Sequence, residues 1–407
     1  MRRFGDIVDR APCVVYAARV HAQGGIPKRR EGMKRYDFGK RSGFKVPRAT
    51  IGAMRLPKDD DEAVALIRHA IDAGMNYLDT SRGYGDSEIK VGKALKDGYR
   101  EKVILSTKWA PWITKIEESD DASADCTRKR IEESMKRLDV DYLDYYQVWN
   151  IVNRETYDQA VAKGGMVDGI HKAIDEGSVG HTGFTTHDSV ENLLTYIPEV
   201  DWAEIILFTY NLLNRTYAPA IQAAHQRGIG TIVMNPVGGG ALAEQSSVLK
   251  KLADDAAARS VPDLALRYVL ANHNVNTMLV GITRQTDVDD AVAATQETPF
   301  SPQTVAKIEG FLDGMTKENV GFCTLCKYCM PCPQEIDIPA IMSCIYDYRY
   351  WDLKKTARER YNKHMKGPKA DACTQCGECE EKCTQNLEIA KEMAFAKEHL
   401  AEETAES

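Results

Sequence analysis

Cysteine spacing constrains this chain more than any other feature. Of its 11 cysteines, nine lie between Cys323 and Cys383. Eight of these form two runs, Cys323-x-x-Cys326-x-x-Cys329-x-x-Cys332-Pro333 and Cys373-x-x-Cys376-x-x-Cys379-x-x-x-Cys383. Such clustering does not staple a large domain. In a reducing compartment it reads as metal ligation. Three thiolates spaced in this way wrap three corners of a 4Fe–4S cubane, and in two-cluster ferredoxins the fourth ligand comes from the other run. That logic assigns Cys323, Cys326, Cys329 and Cys383 to one cluster, and Cys373, Cys376, Cys379 and Cys332 to a second. Zinc is the structural rival, but it pairs two C-x-x-C knuckles into one tetrahedron, which two runs of four fit less well. The first run has two residues rather than three before its last cysteine, and the second lacks a following proline. Neither departure removes a ligand. Cys344 is expected to be a packed thiol, while Cys13 and Cys126 stand alone.

Upstream of the cysteines, short apolar runs alternate with longer amphipathic ones. After a small hairpin around Ser42-Gly43, eight candidate strands follow: 49–54, 75–79, 103–108, 142–148, 179–185, 204–208, 229–234 and 277–280. Helical patterns lie between them at 60–73, 88–96, 126–138, 167–176, 217–226, 262–272 and 286–294. The first carries Ala63, Leu66, Ile67, Ala70 and Ile71 on one face and stops at Gly74. Eight strands with crossover helices predict a TIM (β/α)8 barrel. A doubly wound sheet is the alternative, but it advertises G-x-G-x-x-G after its first strand. Here the first strand ends in Met54-Arg-Leu-Pro57. The expected architecture is therefore an α/β barrel over 33–315, a small, mainly helical ferredoxin-like domain over 316–395, and an acidic tail over 396–407.

Residues 1–32 are basic and hold a short apolar run from Cys13 to Ala18. The run is shorter than the apolar core of a secretory signal. A disordered extension, or a start at Met33, is the expectation. The chain has a hydrophobic content of 43%, a charged content of 28% and a net charge of −7. These values suit a soluble globular protein and argue against a nucleic-acid partner, while oxygen-sensitive clusters in such a chain imply a cytoplasmic setting. No stretch of about 18 uncharged apolar residues is present to span a membrane.

Barrel chemistry sits at the carboxyl ends of the strands. Asp79 and Tyr84 follow the second predicted strand, and Lys108 closes the third. A cation beside a tyrosine favours phenolate and predicts a depressed hydroxyl pKa, which suits general acid–base work. A buried aspartate would keep the lysine charged and oriented. His181 and His187 flank the fifth strand and are expected to be structural.

Five segments then resemble the aldo/keto reductase family, in order along the barrel. They are Asp79-Thr-Ser-Arg-Gly-Tyr84-Gly-Asp-Ser-Glu88, Ser106-Thr-Lys108, Gly183-Phe-Thr-Thr186, Tyr210-Asn-Leu-Leu-Asn-Arg215 and Met234-Asn-Pro-Val-Gly-Gly-Gly240. The resemblance implies that Tyr84 is the proton donor and that Lys108 and Asp79 tune it. The family's fourth catalytic member, a histidine, is replaced. The chain reads Asp141-Tyr-Leu-Asp-Tyr-Tyr-Gln-Val-Trp149-Asn150. Trp149 takes the histidine's place, and an indole donates a hydrogen bond but accepts none. Trp149 is expected to bound an apolar pocket, or Asn150 to orient a substrate oxygen. By the same resemblance, Tyr210 stacks on a nicotinamide ring and Thr185 and Thr186 bond its carboxamide. Asn235, Pro236, Gly238, Gly239 and Gly240 form the diphosphate loop, with Gly281 and Arg284 at the adenosine end. NADP(H) is the implied nucleotide, with NAD(H) as its alternative. The stretch Cys332-Pro-Gln-Glu-Ile-Asp-Ile-Pro339 is similar to the tail of iron–sulfur members of the family.

The leading functional expectation is an oxidoreductase acting on a small carbonyl or alcohol, with two 4Fe–4S clusters serving electron transfer or structure. An external one-electron carrier is the partner this implies. Two alternatives stay open: an electron-transfer subunit with an altered barrel, and a redox-neutral epimerase or lyase that retains its nicotinamide.

Overall fold

The computed structural model describes residues 33–317, 323, 329–383 and 387–402. The expected extension over 1–32, Cys13 and Cys326 lie outside the described residues. A hairpin of β1 (Arg35–Asp37) and β2 (Lys45–Pro47) precedes eight parallel strands that close into a barrel. These are β3 (Ala49–Gly52), β4 (Tyr77–Asp79), β5 (Ile104–Trp109), β6 (Leu143–Ile151), β7 (Val179–Thr186), β8 (Ile205–Thr209), β9 (Gly230–Met234) and β10 (Thr277–Gly281). β10 pairs with β3 to complete the circle. All eight predicted strands are present.

The crossover helices follow their local signals. α1 (Asp60–Asp72) starts where the Asp59 carboxylate accepts from the Glu62 amide, and its first turn is acidic, which favours the helix dipole. Its buried positions are Ala63, Leu66, Ile67, Ala70 and Ile71, spaced to face the barrel. α2 (Ser87–Ala94) and α3 (Ala124–Leu138) come next, the latter capped by the Ser123 hydroxyl. Helices Arg154–Val161, Val190–Tyr196, Ser247–Asp255 and Pro302–Lys317 are additional to those predicted.

The hairpin plugs the amino end of the barrel. Phe38 is fully buried and meets Tyr77 edge-on at 5.2 Å. Gly39, at φ +69°, lies so close to β9 that a Cβ would stand 2.5 Å from the Gly230 nitrogen. Only glycine fits there. The opposite mouth is left for chemistry.

Beyond the barrel, helices Ile338–Arg349, Lys354–Glu359 and Ile389–His399 pack a second core around Ile341, Ile345, Tyr361 and Met393. This unit is joined to the barrel by buried contacts. Trp351 and Leu353 belong to the barrel's own apolar core. The Ser246 hydroxyl donates to the Trp351 carbonyl at 2.7 Å, and the Glu244 carboxylate accepts from the amides of Lys355 (2.7 Å) and Thr356 (3.0 Å). Glu244 thereby caps the short helix Lys354–Glu359.

Candidate active site and cluster cradle

Strand register assembles the site. Asp79 pairs with Ser106 across β4 and β5, and Lys108 pairs with Gln147 across β5 and β6. Three neighbouring strands therefore present their chemical side chains at the same mouth. Asp79 and Lys108 are almost wholly buried and form an ion pair. The lysine also donates to the Thr80 carbonyl at 2.8 Å, and its Nζ lies 4.9 Å from the centroid of the Tyr84 ring.

Burial alone would lower the Lys108 pKa, but Asp79 and Tyr84 outweigh it and hold the lysine above its ordinary value. Burial pushes the Asp79 carboxyl up, against the pull of Lys108. Burial likewise raises the Tyr84 hydroxyl, with Lys108 pulling it down and Asp79 opposing that pull. The sequence predicts a depressed tyrosine, and here the structure differs. Desolvation of the phenolate outweighs the cation, so Tyr84 rests as a neutral proton donor.

The loop bearing Tyr84 is fixed from below. Ser87 Oγ donates to the Ala53 carbonyl at 2.7 Å. Glu88, fully buried, accepts from Thr107 Oγ1 at 2.8 Å and from Arg137 Nε at 2.9 Å. Gln147 was not anticipated. Its Nε2 donates to Asp79 Oδ2 at 3.0 Å and Ser106 Oγ at 2.7 Å, fixing the aspartate from the side away from the lysine. A glutamine set between Tyr146 and Val148 was the available signal, because a buried amide must find partners.

Trp149 stands edge-on to Tyr84, with ring centroids 5.4 Å apart and planes at 88°. Its six-membered ring occupies the space beside Gly83, where a Cβ would come within 2.2 Å. Asn150 sits at φ +60° in a bulge of β6, its amide donating to Thr185 Oγ1 at 2.7 Å. The Trp112 indole, also unanticipated, clamps the bulge by donating to the carbonyls of Trp149 (3.1 Å) and Asn150 (2.9 Å). Asn150 Oδ1 is buried with no hydrogen-bond partner among the described residues. The bulge thus combines left-handed backbone at Asn150 with an unspent buried acceptor.

Thr185 and Thr186 are buried on β7, and the Thr186 hydroxyl donates to the Ile151 carbonyl at 2.9 Å. Tyr210 lies nearly parallel to Tyr268 at 5.9 Å and donates to its hydroxyl at 3.3 Å. Asn235 has φ +57°, and Pro236 behind it is buried. Gly238, Gly239 and Gly240 all have positive φ, at 60°, 68° and 103°. Gly281 ends β10 with open space around it, and Arg284 extends into solvent, paired with Asp287 at 3.0 Å. His187 is held below the usual histidine value by burial. His181 lies near the plugged end, bonded to Glu204 at 2.8 Å.

The second module holds a pocket whose lining includes Cys332, Cys373, Cys376 and Cys379, together with Cys329. All are free of disulfides. Among the described residues, no three Cys, His, Asp or Glu side chains converge as closely as a single ion requires. A cubane makes no such demand, because each thiolate binds its own corner iron. Five disulfide-free cysteines around one pocket supply the thiolate donors that a cluster takes. Cys344 is buried in this module's core, and burial pushes its thiol up to about 11. It is inert packing.

Comparison with known proteins agrees with this geometry. The aldo/keto reductase family matches residues 49–313, and a 4Fe-4S dicluster domain matches residues 322–388. This chain belongs to the aldo/keto reductase family and carries a 4Fe-4S dicluster domain after its barrel. It is similar to L-galactose dehydrogenase of Arabidopsis thaliana, at 30% identity over 301 residues, covering 67% of this chain and 92% of that relative. An uncharacterized oxidoreductase of Schizosaccharomyces pombe is 27% identical over 278 residues, covering 65% and 86%. Among solved structures, an aldo-keto reductase of Bacillus halodurans in its holo form aligns with a TM-score of 0.60 at 25% identity, covering 69% of this chain and 96% of that one. The chain is thus of an oxidoreductase type. No helix among the described residues is long and apolar enough to cross a membrane.

Proposed function

We propose that this protein is an NAD(P)H-dependent oxidoreductase that interconverts a carbonyl and an alcohol, with Tyr84 as the proton donor. The observation that carries this reading is the buried Asp79–Lys108 ion pair with its ammonium 4.9 Å from the centroid of the Tyr84 ring at the barrel mouth. When bound, the nicotinamide supplies or accepts the hydride and the clusters exchange single electrons. The chain's own residues handle the proton. In reduction, the Tyr84 O–H bond breaks and its proton passes to the carbonyl oxygen. Lys108 stabilises the resulting phenolate, and Asp79 with Gln147 keeps Lys108 in place. Trp149 walls the site on the side where the family's histidine would stand. Asn150 Oδ1 is free to accept from a substrate hydroxyl.

The name of the Arabidopsis relative supports a sugar as substrate, and aldoses are the first class to screen. The glycine turn at 238–240 supports NADP(H) or NAD(H) binding by letting backbone approach a diphosphate. Cys323, Cys326, Cys329 and Cys383 would hold one 4Fe–4S cluster, and Cys332, Cys373, Cys376 and Cys379 the other. The pocket that gathers all four of the second set, with Cys329 beside them, supports a cluster there. Such thiolates suit the cytoplasm and an external one-electron carrier.

Trp149 favours a second reading, an iron–sulfur electron-transfer subunit whose barrel no longer reduces carbonyls. Anaerobic assays of carbonyl reduction across an aldose panel separate the two. Turnover that falls at least a hundredfold in Tyr84→Phe supports the first reading. Equal turnover in the variant removes Tyr84 from the chemistry, and no turnover with any nicotinamide favours the second.

A further inference from the structure

The first barrel strand does not run as far as its apolar pattern suggests. β3 ends at Gly52, and Ala53–Arg55 turn in a 3-10 helix. This turn lifts Arg55 onto the mouth as an exposed residue. Its guanidinium reaches across the end of β10 and donates to the Gly239 carbonyl in the loop after β9. A Cβ on Gly239 would stand 3.3 Å from Arg55 Nη2, and one on Gly240 would stand 3.6 Å from Nη1. The glycines therefore leave the guanidinium room as well as adopting positive φ. β9 and β10 are the seventh and eighth strands of this barrel, and the loops after those strands are where barrel enzymes commonly seat phosphate.

The other arginines near this mouth are neutralised. Arg284 is paired with Asp287 at 3.0 Å and Arg215 with Asp313 at 2.6 Å. Arg55 instead rests on a neutral carbonyl. Of the five N–H donors in its fork, the bond to Gly239 uses one. A full positive charge beside a positive-φ glycine turn fits a diphosphate, which takes a guanidinium through paired charge-assisted hydrogen bonds.

From this geometry we infer that Arg55 is the charged anchor for the diphosphate of the bound dinucleotide, bridging the first strand to the glycine loop. The inference rests on the nicotinamide reading above and adds a ligand contact that the family motifs in this sequence do not contain. Arg55 serves the diphosphate shared by NADPH and NADH, so it does not choose between them.

Titrating NADPH, NADH and ADP-ribose into full-length, cluster-loaded wild type, Arg55→Met and Arg55→Lys tests this. Arg55→Met should weaken all three ligands by a similar factor, roughly ten- to hundredfold. Arg55→Lys should fall between, keeping the charge without the fork. The salt dependence of binding should be shallower in Arg55→Met. Far-UV circular dichroism and iron content should match wild type, since the replaced side chain is exposed. Equal affinities in wild type and Arg55→Met would overturn this inference and leave the nicotinamide reading standing. A loss confined to NADPH would also overturn it, by moving Arg55 to the 2′-phosphate. A wild type that binds none of the three would overturn both.

Discussion

Replacing Lys108 by methionine tests the buried pair beneath Tyr84. The ammonium is 2% exposed and Asp79 is 4% exposed, so the variant strands a carboxylate in the barrel with only Gln147 and Ser106 beside it. Removing one partner of a buried ion pair costs about 3–5 kcal/mol, chiefly because the other charge stays desolvated. For a domain of this size that lowers the barrel's unfolding midpoint by on the order of 10 °C. Activity should fall further, because Tyr84 loses the cation that stabilises its phenolate. General acid–base assistance is worth roughly a hundred- to ten-thousandfold. The double variant Asp79→Asn/Lys108→Met separates the two effects. It should recover most of the lost stability, since no uncompensated charge remains, and recover no activity. Differential scanning calorimetry and carbonyl-reduction assays on both variants read this out. A single variant as stable as wild type, or a double variant no more stable than the single, would refute the reasoning from burial.

Three further outcomes follow from the same contacts. Because burial raises the Tyr84 hydroxyl, the proton donor is fully loaded at neutral pH; kcat/KM for reduction should stay level from about pH 6 to about pH 9 and fall only above the raised value, while the reverse oxidation climbs with pH over that range. Gly83→Ala would drive a methyl group into the Trp149 ring, and the ring's displacement should cost about 1–3 kcal/mol of stability and change KM more than kcat. Burial works to raise the Asp120 carboxyl, but the amides of Glu117 and Ile116 and the Arg130 guanidinium hold it down at about 2. A depressed carboxyl stabilises the fold above its ordinary value of 3.8 and loses that contribution as pH falls toward about 2, so Asp120→Asn should be less stable at neutral pH by about 3 kcal/mol and show a flatter acid limb in denaturant titrations.

Much of the barrel was legible because parallel strands buried on both faces read as unbroken apolar runs, such as Ile205 to Phe208. The helices that escaped notice are mostly short. Val190–Tyr196 has seven residues and depends on its Ser189 cap more than on an apolar stripe. The triad of Asp79, Tyr84 and Lys108 was legible from strand-end position alone. Its proton chemistry was not, because the sign of the Tyr84 shift depends on how deeply the fold buries the hydroxyl. Gln147 bonds residues 41 and 68 positions away, a relation set by strand register rather than by local pattern. Arg55 stood out in the sequence only as part of a strand end lacking a glycine loop. Its role appears once the barrel closes and brings β3, β10 and β9 side by side.

The most direct test of the account is a count of iron, acid-labile sulfide and bound nicotinamide nucleotide on the anaerobically purified full-length chain. The account predicts about eight irons and eight sulfides per chain, as two four-iron clusters require, with saturable binding of one NADPH or NADH. Full clusters with no nucleotide binding would contradict the oxidoreductase reading. Zinc in place of iron would contradict the assignment of the cysteine module.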